Sequence, residues 1–149
     1  MRVVLDTNVV VSSFLSPTGA PSRIFDHWQQ ETFDVVVSEP ILQEYEHVLL
    51  YEHIQTRHHM TPLQIRKVID EFRRFALLVT PTKTVHIVSQ DPEDNKFIEC
   101  AIAGSALFIV SGDTDLLIVR EYQGIHIFNP GDFLTLLEKT QENPGSQAA

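Results

Sequence analysis

Five short, mainly apolar runs, Arg2 to Leu5, Phe33 to Val37, Leu77 to Val79, Leu107 to Val110 and Ile125 to Phe128, constrain this chain more than any other feature. Each has the length of a strand and, apart from Arg2, Asp34 and His126, is apolar, so each reads as a strand buried on both faces. Between them lie patterns with a period near 3.6 and clear start signals. Ser38 and Pro40 precede Ile41, Leu42, Tyr45, Val48 and Leu49; Thr61 and Pro62 precede Ile65, Val68, Ile69 and Phe72; Asp91 and Pro92 precede Phe97, Ile98, Ala101 and Ile102. Strands that alternate with helices imply right-handed crossovers, a parallel sheet and a three-layer α/β sandwich. In such sheets sites form beyond the carboxyl ends of the strands.

Acidic residues recur at those ends. Asp6 follows the first run directly, with Asn8 two residues on, and Ser111-Gly112-Asp113-Thr114-Asp115 leaves the fourth. Glu44 borders the apolar stripe of its helix, and Asp94 shares a helical face with Phe97, Ile98 and Ala101. Each has an ordinary reading. Asp6 serves as an N-cap, Glu44 as a solvated neighbour of the core, Asp94 as a capping-box partner of Asp91, and one of Asp113 and Asp115 as a cap for a helix over Leu116 to Glu121. Together they place acid at one sheet edge four times. Carboxylates about 5 Å apart repel by roughly 3 kcal/mol per pair at an effective dielectric near 20. Such a cluster holds protons at raised pKa or binds a hard divalent cation.

The rest of the chain narrows the reading. Its 149 residues suit one domain, taken as 1–140, with a polar tail over 141–149 expected to be disordered. The net charge of −9 argues against a protein that coats nucleic acid with a basic surface, but not against an enzyme that reaches phosphate through bound cations. The lone Cys100 excludes an internal disulfide, reads as a buried structural thiol and fits a reducing cytosol; no apolar run approaches membrane-spanning length, so a soluble, cytoplasmic protein is expected. Ser16 to Pro21 and His53 to Met60 read as loops, with His58 and His59 exposed and no zinc-ligand spacing. Arg66, Lys67, Arg73 and Arg74 form a basic helix side, either solvated or in contact with RNA phosphate.

The segments Leu5-Asp6-Thr7-Asn8-Val9, Ser38 to Glu44, Asp91-Pro92-Glu93-Asp94-Asn95-Lys96-Phe97-Ile98-Glu99-Cys100-Ala101 and Val110 to Leu117, in that order, resemble those of PIN-domain nucleases, most of all the prokaryotic branch of toxin components of toxin–antitoxin pairs. The resemblance implies a parallel sheet of four or five strands whose acidic pocket binds Mg²⁺ or Mn²⁺. It makes Asp6, Glu44, Asp94 and Asp113 the catalytic and metal-binding acids, with Asn8, Ser111 and Asp115 supporting. The implied activity is endoribonuclease, by cation-activated water; the implied partners are RNA, an antitoxin over the Ser16 to Pro21 loop and apolar surface of the Ile41 to Leu50 helix, and a second copy in a homodimer. Two other classes stay open. One is an aspartyl-nucleophile phosphatase, although that chemistry normally sets a second Asp where this chain has Asn8; the other is a non-catalytic acidic interaction module.

Overall fold

A computed structural model describes residues 1–88 and 91–142. Its strands are β1 (Arg2–Leu5), β2 (Asp34–Val37), β3 (Leu77–Leu78), β4 (Phe108–Val110), β5 (Glu121–Tyr122) and β6 (Ile125–Phe128). Its helices are α1 (Thr7–Ser13), α2 (Ala20–Gln29), α3 (Glu39–Leu49), α4 (Glu52–His58), α5 (Pro62–Phe75), α6 (Asn95–Ala103), α7 (Thr114–Leu117) and α8 (Pro130–Glu142), with one 3₁₀ turn at Pro92–Asp94. The sheet order is β3-β2-β1-β4-β6-β5, parallel throughout except for β5 against β6. This is the expected α/β sandwich with one added antiparallel edge.

The strand order fixes where a site can form. From β1 the chain steps to β2 and β3 on one side, then returns to place β4 on the other side of β1. Right-handed crossovers in opposite directions put their helices on opposite faces. A crevice therefore opens between β1 and β4 at their carboxyl ends, where the winding reverses. Register carries both strands to the same edge, since Leu5 lies opposite Val110 and the Asp6 N–H donates to the Val110 carbonyl at 2.9 Å.

Burial follows the apolar runs. Val3, Val4, Leu5, Val35, Val36, Val37, Ile109 and Val110 are at most 1% exposed, and Trp28, Phe72 and Tyr45 close the helical side, Trp28 stacking on Phe72 at 4.7 Å. Tyr45 is fully buried and its hydroxyl donates to the Leu5 carbonyl, tying α3 to the last residue of β1. Burial pushes the Cys100 thiol up to about 12, as suits a structural thiol.

Several expectations need correction. Leu77 and Leu78 pair with β2 alone at the sheet edge and are 39% and 43% exposed, so this run is not buried on both faces. Residues 53–60 are not a loop throughout: α4 occupies Glu52–His58 with no buried residue, which is why apolar periodicity does not mark it. His58 is half-buried, accepting from the Met60 N–H at 2.9 Å through Nδ1, so that Nε2 carries the proton it donates to the Leu49 carbonyl, also at 2.9 Å. The helix over Leu116 to Glu121 is only one turn, because Arg120 adopts φ +63° and redirects the chain into the β5–β6 hairpin. Finally, Ser16 to Pro21 runs into α2, whose first residues are Ala20 and Pro21. The last helix, α8, runs on to Glu142, so of the expected tail only residues 141 and 142 are described, both in α8; residues 143–149 lie outside the described residues.

Candidate active site

Asp6 occupies the N-cap position of α1 without a side-chain capping bond. Its carboxylate is 4% exposed and its Oδ2 accepts from the Ser111 hydroxyl at 2.5 Å. The same Ser111 oxygen accepts from the Asp113 N–H at 2.9 Å, so one fully buried hydroxyl joins the end of β1 to the exit of β4. Asn8 Oδ1 accepts from the Gly112 N–H at 3.2 Å and braces that exit from outside. Burial raises the Asp6 pKa to about 6; bonds from Ser111 and the Thr7 backbone oppose the rise, and the charges of Glu44 and Asp113 add to it.

Asp94 closes the 3₁₀ turn with 8% exposure, and its Oδ2 is buried with no hydrogen-bond donor among the described residues. Asp91 supplies the capping bond here, accepting from the Glu93 N–H at 3.1 Å. The turn has three residues, so positions i and i+3 eclipse and Asp91 and Asp94 face the same way. With Asp113 they form a triad in which one oxygen from each lies within 4.8 Å of the others. Two carboxylates can bond each other only through a shared proton, and Asp94 shows that frustration. Its pKa is pushed up to about 8 by burial first, then by its contact with Asp113 and the charges of Asp6, Asp91 and Asp113. At 4.8 Å each ionised pair costs roughly 3 kcal/mol at an effective dielectric near 20. An all-oxygen triad with one buried oxygen lacking a donor has the chemistry a hard divalent cation requires.

The structure sorts the acids of the sequence reading. Asp6, Asp94 and Asp113 converge, Asp6 by way of Ser111. Glu44 lies near enough to perturb Asp6 but stands outside the triad, because both its oxygens are engaged: Oε2 accepts from the Thr7 hydroxyl, and Oε1 lies 2.5 Å from Lys96 Nζ. Asp113 also caps α7, accepting from the Asp115 N–H at 2.9 Å, whereas the Asp115 side chain is no part of the triad. Sequence reasoning assigned Asp91 only a capping role; the i, i+3 spacing across Pro92 was the signal that it faces the site. On the basic helix side Arg73 is paired to Glu39 and Arg66 lies 3.7 Å from Glu46, while Arg74 lies over the Phe75 ring at 5.2 Å. Ile41, Leu42 and Leu49 are core residues, so α3 offers no apolar face for a partner; only Leu50 and Tyr51 just beyond it are exposed, at 38% and 41%. No helix among the described residues is long and apolar enough to cross a membrane.

An uncharacterized protein of Methanocaldococcus jannaschii, MJ1680, is 29% identical over 147 residues, covering 93% of each chain. The crystal structure of FitAcB from Neisseria gonorrhoeae is a looser likeness, at a TM-score of 0.46 and 18% identity over 87% of this chain and 98% of that one. The PIN domain model matches residues 2–115, a span that runs from β1 past the last acid of the triad. With three quarters of its length inside that match, the chain belongs to the PIN-domain family of nucleases.

Proposed function

We propose that the protein is a Mg²⁺- or Mn²⁺-dependent endoribonuclease that hydrolyses phosphodiester bonds of single-stranded or looped RNA in the cytoplasm. The observation that carries this reading is the Asp91, Asp94 and Asp113 triad, with a buried Asp94 oxygen lacking a donor, at the reversal point of a PIN-domain sheet. Those three carboxylates would hold the cation, with Asp6 beside them. When bound, a divalent cation supplies charge to neutralise the scissile phosphate and the acidity to activate water. The chain's own groups do the positioning. Ser111 fixes Asp6 and Asp113 at one separation, and the Tyr45 hydroxyl holds the strand end from which Asp6 projects. A regular duplex presents its phosphates less readily to a crevice at a sheet edge, so single-stranded RNA is the favoured substrate.

The sequence resemblance to toxin components supports a role as the toxin of a toxin–antitoxin pair, working as a homodimer and silenced by an antitoxin over the crevice. Purified protein should cleave a single-stranded RNA with Mn²⁺ or Mg²⁺ and stop when EDTA is added. Cleavage that persists unchanged in EDTA would overturn the cation-dependent reading.

A further inference from the structure

Among the described residues, Lys96 is the one cation that the structure pairs with Glu44 at the acidic end. Its side chain is only 17% exposed and its Nζ lies 2.5 Å from Glu44 Oε1 and 4.0 Å from the exposed Glu93. Burying an ammonium costs several kcal/mol unless a partner and hydrogen bonds offset it. Glu44 is that partner, and Glu44 is itself fixed by the Thr7 hydroxyl from the first turn of α1. An ammonium has three N–H donors, and among the described residues only Glu44 lies within hydrogen-bond distance. Two donors therefore remain for a ligand. Beside Lys96 a cavity of about 350 Å³ opens between Ser38, Pro40, Leu78, Val79 and Glu99, with room for the nucleotide next to a bound phosphate.

We propose that Lys96 is a catalytic residue that donates to a non-bridging oxygen of the scissile RNA phosphate, and that Glu44 is its positioning residue rather than a ligand of the cation. The inference rests on the ribonuclease reading above. In a chain of net charge −9, a polyanion approaching the triad meets repulsion from every acid that the cation leaves uncompensated. An ammonium held in place offsets it at the point where charge grows during hydrolysis, and a preformed donor there needs no reorganisation.

The test sets RNA cleavage against manganese binding measured by calorimetry. Lys96→Met should lower kcat/KM by roughly 100-fold, most of it in kcat, with Lys96→Arg recovering part of the loss. Its manganese affinity should be equal to or tighter than the parent's, because a neighbouring positive charge has gone. Glu44→Gln should lower kcat comparably while its manganese affinity stays within about threefold of the parent's, whereas Asp94→Asn should weaken manganese by roughly 10-fold or more. Melting temperatures establish that each variant is folded, and the double variant should be little worse than either single one. Glu44→Gln that weakens manganese as much as Asp94→Asn makes Glu44 a cation ligand and overturns its positioning role. Lys96→Met that cleaves at the parental rate overturns the role of Lys96 and leaves the ribonuclease reading intact. A parent that cleaves no RNA removes that reading, and the role of Lys96 with it, whatever the manganese titrations give.

Discussion

The two ends of the sheet differ in what they leave unfinished. At the amino ends, beside Asp34 at the start of β2, lies the larger cavity, about 590 Å³ between Trp28, Phe33, Glu71 and Phe75. Glu31, Asp34 and Glu71 line it, but among the described residues these three are not gathered within 4.8 Å of one another as the triad is. At the carboxyl ends space is scarcer, yet Asp6 and Asp94 both have raised pKa values and Asp94 keeps a buried oxygen without a donor among the described residues. Room alone indicates where something could sit. Groups held at an energetic cost indicate where something must, because the fold sustains that cost only when a ligand offsets it.

Substitutions that separate the two ends should differ most in rate. Asp6→Asn and Asp94→Asn should each lower RNA cleavage by several orders of magnitude while the protein stays folded, since a ligand set from separate elements fails when one member is neutral. Glu71→Gln, at the amino end, should cleave like the parent. Equal losses at both ends would dissolve the distinction.

The raised pKa values of Asp94 and Asp6 give the carboxyl end a pH dependence of its own. Without metal, the folded state keeps protons on Asp94 up to about 8 and on Asp6 up to about 6, whereas the unfolded chain releases them near 3.8. The folded state therefore binds more protons across this window, and its stability is greatest below pH 4 with respect to these two groups and falls as pH rises towards 8. Melting temperatures in EDTA should decline from pH 5 to pH 8, and Asp94→Asn should flatten the decline. A melting temperature that climbs over that range would show that the acids are not frustrated.

Smaller effects test the scaffold. Tyr45→Phe removes the buried bond to the Leu5 carbonyl and should cost about 1 kcal/mol in denaturant unfolding, with a modest loss of rate because Asp6 is the next residue. Phe75→Ala, at a side chain 67% exposed, should change stability by no more than about 0.5 kcal/mol and leave cleavage untouched.

The parallel core was legible because strands buried on both faces leave continuous apolar runs, as Val35-Val36-Val37 and Phe108-Ile109-Val110 do. The β5 edge was not, since Glu121-Tyr122 has only two residues and depends on the positive φ of Arg120, a conformation no local pattern announces. Asp6, Asp94 and Asp113 were legible as acids at strand ends and in a first helical turn. The Glu44 pairing was not legible, because periodicity tells which side of a helix a residue occupies, not which neighbour from another element claims it. Lys96, 52 positions away, is such a neighbour. Asp91 was hidden behind its own cap: a residue can cap a turn with one oxygen and offer the other to the site.

The central claim is that the carboxyl end is an acid cluster completed by a divalent cation, and melting the parent and Asp94→Asn at pH 8 with and without Mn²⁺ tests it most directly. Mn²⁺ at a hundred times its Kd should stabilise the parent by about 2.7 kcal/mol, roughly 5 to 10 °C for a chain of this size. Metal-free Asp94→Asn should melt no lower than the metal-free parent and lose most of the manganese response. A metal-free Asp94→Asn that melts well below the parent, or a parent indifferent to Mn²⁺, would make Asp94 a structural residue and contradict the account.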